Sequence, residues 1–230
     1  MGKTVTFNRP DGQIIRGYLA ETEHAAGAAA VVVIQEWWGL NDQIRGVADR
    51  LASTGYIALV PDLYRGKSTA EAEEAHHLMT GLNFADAASQ DIRGAVNFLK
   101  TRSGKVGVTG FCMGGALTLL ALCMSPEIDA GVVWYGCPPL QYIEANKIRV
   151  PLLAHWATQD EFFPIATIDL LQEKLREADV AFEFHRYLAH HAFANETAVG
   201  PGRIPATQYD SVWSQQAWDR TFSFFGRWLR

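Results

Sequence analysis

Residues 106–120 constrain the fold of this chain more than any other stretch. Val106, Val108 and the residues between them open as a short apolar run of strand type. Ala116, Leu119, Leu120 and Cys123 then recur at helical spacing, i, i+3, i+4, i+7. Between the two patterns lies Gly110-x-Cys112-x-Gly114-Gly115. A chain that passes from strand to helix in so few residues must bend sharply, and the apex residue is forced into a strained conformation. Small glycines on either side make that bend tolerable. The pattern is that of a nucleophile elbow, G-x-S-x-G, with a thiol in place of the hydroxyl. The bend would expose the sulfur at a helix N-terminus, where the macrodipole favours a thiolate.

The remainder reads as strands alternating with helices. Residues 4–9 and 13–20 form a predicted hairpin around Pro10-Asp11-Gly12, and Ala25 to Ala30 is a small-residue loop. Ala30 to Ile34 is a β-branched run suited to a strand buried on both faces. Asn41 is placed to cap a helix with Ile44, Val47, Ala48 and Leu51 on one stripe, ended by Gly55. Further strands are expected at 56–61, 106–111, 128–136, 150–156 and 180–187. Helices are expected at 69–80, 86–100, after Cys112, at 165–175 and at 210–228. This alternation implies right-handed crossovers and a mostly parallel sheet covered on both faces, with the N-terminal hairpin antiparallel. At 230 residues, without a repeat or a low-complexity tract, the chain is read as a single domain, 1–230.

Working groups in such sheets gather at the carboxyl ends of the strands. Four ends carry chemistry here: Gln35-Glu36-Trp37-Trp38-Gly39, Cys112, Gln159-Asp160, and His190-His191-Ala192-Phe193. A thiolate nucleophile needs a base, and the base needs a group to hold its tautomer. Cys112, Asp160 and a histidine at 190 or 191 come in the nucleophile–acid–histidine order of the α/β-hydrolase fold. The competing readings are structural: Cys112 as a small buried hydrophobe, Asp160 as a helix cap, Glu36 as the partner of an arginine. Cys123 and Cys137 are expected to be packing residues, His155 a hydrogen-bonded core histidine, and the remaining histidines, His24 included, mostly surface or packing side chains. Net charge −5 and the lack of a basic tract argue against nucleic-acid or anionic-membrane partners. No apolar stretch reaches the ~18 residues needed to span a bilayer. Three cysteines and an N-terminal segment that enters a strand pattern directly point to a cytoplasmic protein without disulfides.

These residues resemble the dienelactone hydrolase family, the cysteine-nucleophile branch of the α/β-hydrolases. The similar stretches run from Val31 to about Glu196. They include Gln35-Glu36-Trp37-Trp38-Gly39-Leu40-Asn41, Val60-Pro61-Asp62-Leu63-Tyr64, Gly110-Phe111-Cys112-Met113-Gly114-Gly115, Gln159-Asp160-x-x-Phe163-Pro164 and Tyr187-x-x-x-His191-Ala192-Phe193. The resemblance implies that His191 is the base. It also implies that the Glu36 carboxylate pairs with the thiol at rest, and that the Trp37 and Met113 backbone N–H groups form the oxyanion hole. Two arginines that hold a substrate carboxylate in that family are replaced by Asn195 and Ala72, unless Arg45, Arg65 or a histidine substitutes. Trp38, Tyr64, His76, Met79, Tyr135, Phe163 and Asn195 are the expected substrate contacts. The expected activity is hydrolysis of small esters or enol-lactones by a monomer through a thioester acyl-enzyme, with no metal or organic cofactor. A non-catalytic or redox-sensing thiol protein on the same fold is the alternative.

Overall fold

The computed structural model of this chain describes residues 2–23 and 25–230; His24 lies outside the described residues. One sheet of eight strands runs through it: β1 (Lys3–Asn8), β2 (Ile14–Ala20), β3 (Ala30–Ile34), β4 (Ile57–Pro61), β5 (Val106–Phe111), β6 (Ala130–Trp134), β7 (Leu152–Ala157) and β8 (Phe182–Tyr187). Their spatial order is β1-β2-β4-β3-β5-β6-β7-β8. The first two pairings, β1 with β2 and β2 with β4, are antiparallel and all the others parallel. This is the expected α/β-hydrolase architecture with its N-terminal hairpin. Strands β3 to β7 are buried along their whole length, which explains why they read as unbroken apolar runs instead of alternating ones.

Two apolar layers sandwich the sheet. Helices α1 (Asp42–Ser53) and α7 (Ser211–Leu229) cover one face, with Ile44, Leu51, Trp218 and Phe225 packed on Val31, Val33 and Trp134. Helices α4 (Arg93–Lys100), α5 (Met113–Met124) and α6 (Ile165–Glu177) cover the other, through Val96, Leu99, Leu117, Ile168 and Leu171. Asn41 caps α1 as expected, its side-chain oxygen accepting from the Ile44 N–H at 3.1 Å. His155 sits in β7 fully buried, with Nδ1 2.8 Å from the Tyr187 hydroxyl and Nε2 2.9 Å from the Thr221 hydroxyl. Among the described residues no helix is long and apolar enough to cross a membrane.

Two expected helices differ in detail. Helix α2 covers Ala72–Thr80, shorter than the 69–80 of the sequence pattern. The stretch expected as one helix over 86–100 is α3 (Phe84–Asp86), a π-helical turn over Ala87–Ile92, and then α4. The π turn has a physical reason. Arg9 Nη1 lies 2.9 Å from both Asp86 and Asp91, residues five apart. An α-helix would place them about 140° apart around its axis, whereas i→i+5 winding brings them to one side.

Candidate active site

The elbow has the expected geometry. Cys112 adopts φ +53°, ψ −116°, a region that costs an L-residue energy, immediately after β5 and at the head of α5. Gly110 and Gly114 permit it. A Cβ on Gly110 would run into the Gly114 carbonyl, and one on Gly114 into the carbonyls of Ile34 and Gln35 at the end of β3. The Cys112 N–H donates to the Trp134 carbonyl at 3.0 Å, which ties the bend to β6. Cys112 is partly exposed, whereas Cys123 and Cys137 are buried and all three thiols are free.

The structure brings Asp160 and His191 together behind this sulfur. Asp160 leaves β7 and His191 follows β8, and these neighbouring parallel strands end side by side, Ala157 opposite Tyr187. Asp160 Oδ2 lies 2.7 Å from His191 Nδ1. Its Oδ1 accepts the backbone N–H groups of Phe162 at 2.8 Å and Phe163 at 3.0 Å, so the carboxylate is fixed at both oxygens. His191 is 4% exposed. Burial lowers its affinity for a proton, but the Cys112 thiolate charge, the Asp160 bond, a hydrogen bond to Cys112 and the Asp160 charge outweigh it and push the imidazole up to about 10. The alternative histidine, His190, has a buried Nδ1 without a hydrogen-bond partner among the described residues.

Glu36 is buried at the end of β3 but does not bond to the thiol. Its Oε2 accepts from Asn195 Nδ2 at 2.6 Å, and its Oε1 lies 3.3 Å from the donating Tyr135 hydroxyl. Burial raises the Glu36 pKa; the His191 charge and these two donors pull it down less strongly. No arginine pairs with it among the described residues. The expectations for Asn195 and Tyr135 are corrected accordingly. Asn195 is 2% exposed, with Oδ1 accepting from the Thr197 N–H and hydroxyl, and Tyr135 is fully buried with its ring edge-on to His191. Both hold the Glu36 carboxylate and leave no side-chain surface for a substrate. Arg45 and Arg65 do not substitute for the missing arginines either: Arg45 pairs with Asp42 at 2.7 Å and Arg65 with buried Asp91 at 2.9 Å.

The other expected contacts divide. Trp37 and Trp38 are half-buried on the loop after β3, their rings edge to face at 5.0 Å. The Trp37 and Met113 N–H groups donate to no backbone carbonyl among the described residues. Tyr64 is buried, its hydroxyl 3.2 Å from Met113 Sδ. Phe163 is partly buried 5.6 Å from the His191 ring. Met79 packs on the core through α2, while His76 is exposed on that helix and makes no hydrogen bond to the site. Phe162 was not expected: its ring lies 4.9 Å from His191 while half of it faces solvent. An aromatic residue inside a polar loop was the available signal. Among the described residues no three His, Cys, Asp or Glu side chains come together as a metal-binding group.

A sequence profile of the dienelactone hydrolase family matches residues 15–229. The chain belongs to the dienelactone hydrolase family. As such it is a carboxylic-ester hydrolase. "Protein usf" of Aquifex pyrophilus is 35% identical over 240 residues, covering 100% of both chains. A relative in Aquifex aeolicus that carries the provisional name carboxymethylenebutenolidase is 33% identical, again over 100% of both. A dienelactone hydrolase-like promiscuous phosphotriesterase from metagenomic libraries superposes with TM-score 0.86 over 100% of this chain and 99% of that one. At 22% identity, that likeness speaks for the dienelactone hydrolase fold alone.

Proposed function

We propose that this dienelactone hydrolase family member cleaves small, uncharged carboxylic esters or enol-lactones, with Cys112 as nucleophile, His191 as base and Asp160 orienting the imidazole. The observation that carries the reading is the 2.7 Å contact between Asp160 and His191 Nδ1 behind a strained cysteine at the elbow. With Nδ1 held, Nε2 is left for the thiol, and the proton moves from sulfur to imidazole. The Sγ–C bond then forms and the carbonyl electrons move onto oxygen, where the Trp37 and Met113 N–H groups receive the charge. Each such donor contributes about 3–4 kcal/mol to lowering the barrier. Collapse breaks the C–O bond and the imidazolium returns its proton to the leaving oxygen. Water, deprotonated by His191, then attacks the thioester and releases the acid and the thiolate.

The neutral preference follows from the charges around the sulfur. Asn195 stands where the family holds an arginine and is bonded to Glu36, and Arg45 and Arg65 are committed to their own carboxylates. A substrate carboxylate would meet Glu36 without a cation of its own. Glu36, held by two neutral donors, is read here as a counter-charge to the imidazolium. Three free cysteines support a reducing, cytoplasmic setting, and the single sheet supports one domain.

The test is a kinetic comparison of dienelactone with neutral aryl esters on the wild type, Cys112→Ala and Asn195→Arg. The wild type should favour the neutral esters, Cys112→Ala should lose turnover, and Asn195→Arg should shift preference toward dienelactone. Full turnover by Cys112→Ala removes the nucleophile assignment. A wild-type preference for dienelactone removes the neutral-substrate assignment.

A further inference from the structure

We infer that Phe162 forms the leaving-group subsite and selects esters of planar aromatic alcohols. The inference rests on the triad assignment above and adds to it a residue and a substrate class. Its starting point is a requirement of the chemistry. The departing oxygen must lie within hydrogen-bond reach of the imidazole nitrogen that protonates it. The leaving group is therefore the part of the substrate nearest His191, and the side chains packed around that ring shape its subsite.

Besides Cys112, one carboxylate and three aromatic rings are placed against His191. Asp160 occupies Nδ1. Tyr135 stands edge-on at 5.2 Å with no exposed surface. Phe163 lies at 5.6 Å and turns partly into the core, among the side chains packed against the layer of α4 to α6. Phe162 lies nearest, at 4.9 Å with its ring inclined 59° to the imidazole, and is 48% exposed. His191 itself is 4% exposed, and of the three aromatic rings beside it Phe162 has the most exposed surface. A phenol or enol leaving group can pack on that free face in an offset or edge-to-face manner.

Phe162 is also held in place. Its N–H is one of the two that the Asp160 carboxylate accepts, at 2.8 Å, and Pro164 two residues on limits the backbone of this loop before α6 begins. The same carboxylate thus orients the base and fixes the main chain of the residue flanking it. An alkyl alcohol gains only apolar contact from this face, whereas an aryl group gains the geometry-specific part as well. That part corresponds to about a twofold to tenfold difference in kcat/KM.

The experiment compares phenyl acetate with the acetate of a fluorinated alkyl alcohol matched to phenol in acidity, so that acyl group and leaving-group basicity are shared. The substrates are run on the wild type, Phe162→Ala and Phe162→Trp, each checked for an unchanged thermal melt. Phe162→Ala should lower the aryl-to-alkyl ratio of kcat/KM about twofold to tenfold, and Phe162→Trp should restore or raise it. An unchanged ratio, or an equal loss on both esters, overturns the subsite and leaves Phe162 as packing for His191. Failure of the wild type to turn over either acetate, or equal turnover by Cys112→Ala, instead overturns the underlying triad reading. If Phe162→Ala does not fold, Phe162→Leu removes the aromatic face at similar volume and is judged by the same ratio.

Discussion

Replacing Asp160 by asparagine or by alanine separates what its two oxygens do. Oδ2 holds His191 Nδ1 at 2.7 Å and Oδ1 caps the Phe162 and Phe163 N–H groups at 2.8 and 3.0 Å. Asparagine keeps the Oδ1 cap but presents an N–H₂ to the imidazole. Nδ1 must then accept, so the ring proton moves to Nε2, the nitrogen that takes the thiol proton in the mechanism proposed above. The analogous change in Ser-His-Asp triads lowers kcat about 10⁴-fold, and a loss of that order is expected for Asp160→Asn. Alanine removes all three hydrogen bonds. Each bond to a charged acceptor contributes about 1.5–3 kcal/mol when its partner stays buried. Water can replace the one from half-exposed Phe162, leaving a cost of about 3–6 kcal/mol, or on the order of 10 °C in Tm for a chain of this size. Asp160→Asn should cost about 1–2 kcal/mol, or about 5 °C. Steady-state kinetics on a phenyl ester, calorimetry and imidazole ¹⁵N shifts measure the three quantities. If Asp160→Asn kept more than a tenth of kcat, or melted together with Asp160→Ala, the division of labour described here would be wrong.

Three further outcomes are expected. Cys112→Ala should lower the His191 pKa, which the site pushes up to about 10, since the electrostatic interaction with Cys112 is the largest effect raising it, and an NMR titration of the imidazole reads the shift. His155 is buried with its pKa held well below the ordinary range, by burial first and then by His185 and Arg220. The unfolded chain therefore takes up the proton more readily, and stability should fall as pH drops below about 6.5; His155→Gln should flatten that slope in urea melts at pH 5 and pH 7. Asp91 is 1% exposed and bonds both Arg9 and Arg65, so Asp91→Ala strands the buried Arg9 guanidinium with fewer partners. It should cost about 3 kcal/mol by denaturant titration.

What could be read without coordinates was local or positional. The elbow follows from Gly110, Cys112, Gly114 and Gly115 alone, because only small residues allow a strand and a helix to meet at such a bend. The parallel sheet follows from β-branched runs alternating with helical stripes. Asp160 and a histidine at 190 or 191 follow from their places after strands, since a sheet with this connectivity collects its strand ends on one edge; the resemblance to the dienelactone hydrolase family is what singled out His191. The π turn at Ala87–Ile92 was not legible, because its cause is an arginine nearly eighty residues earlier.

The same division applies to the site. Residue types and spacing determined that a thiol, an imidazole and a carboxylate would share one end of the sheet. Tertiary structure decided who bonds to whom. Asn195, a candidate for substrate, turns its amide onto Glu36; Tyr135, a candidate pocket aromatic, is buried against it; and Phe162 is half exposed beside His191. Backbone pattern places a Cα to within a few ångströms, but a hydrogen bond is lost within less than one. Partners at that scale are chosen only when the loops that carry them have packed.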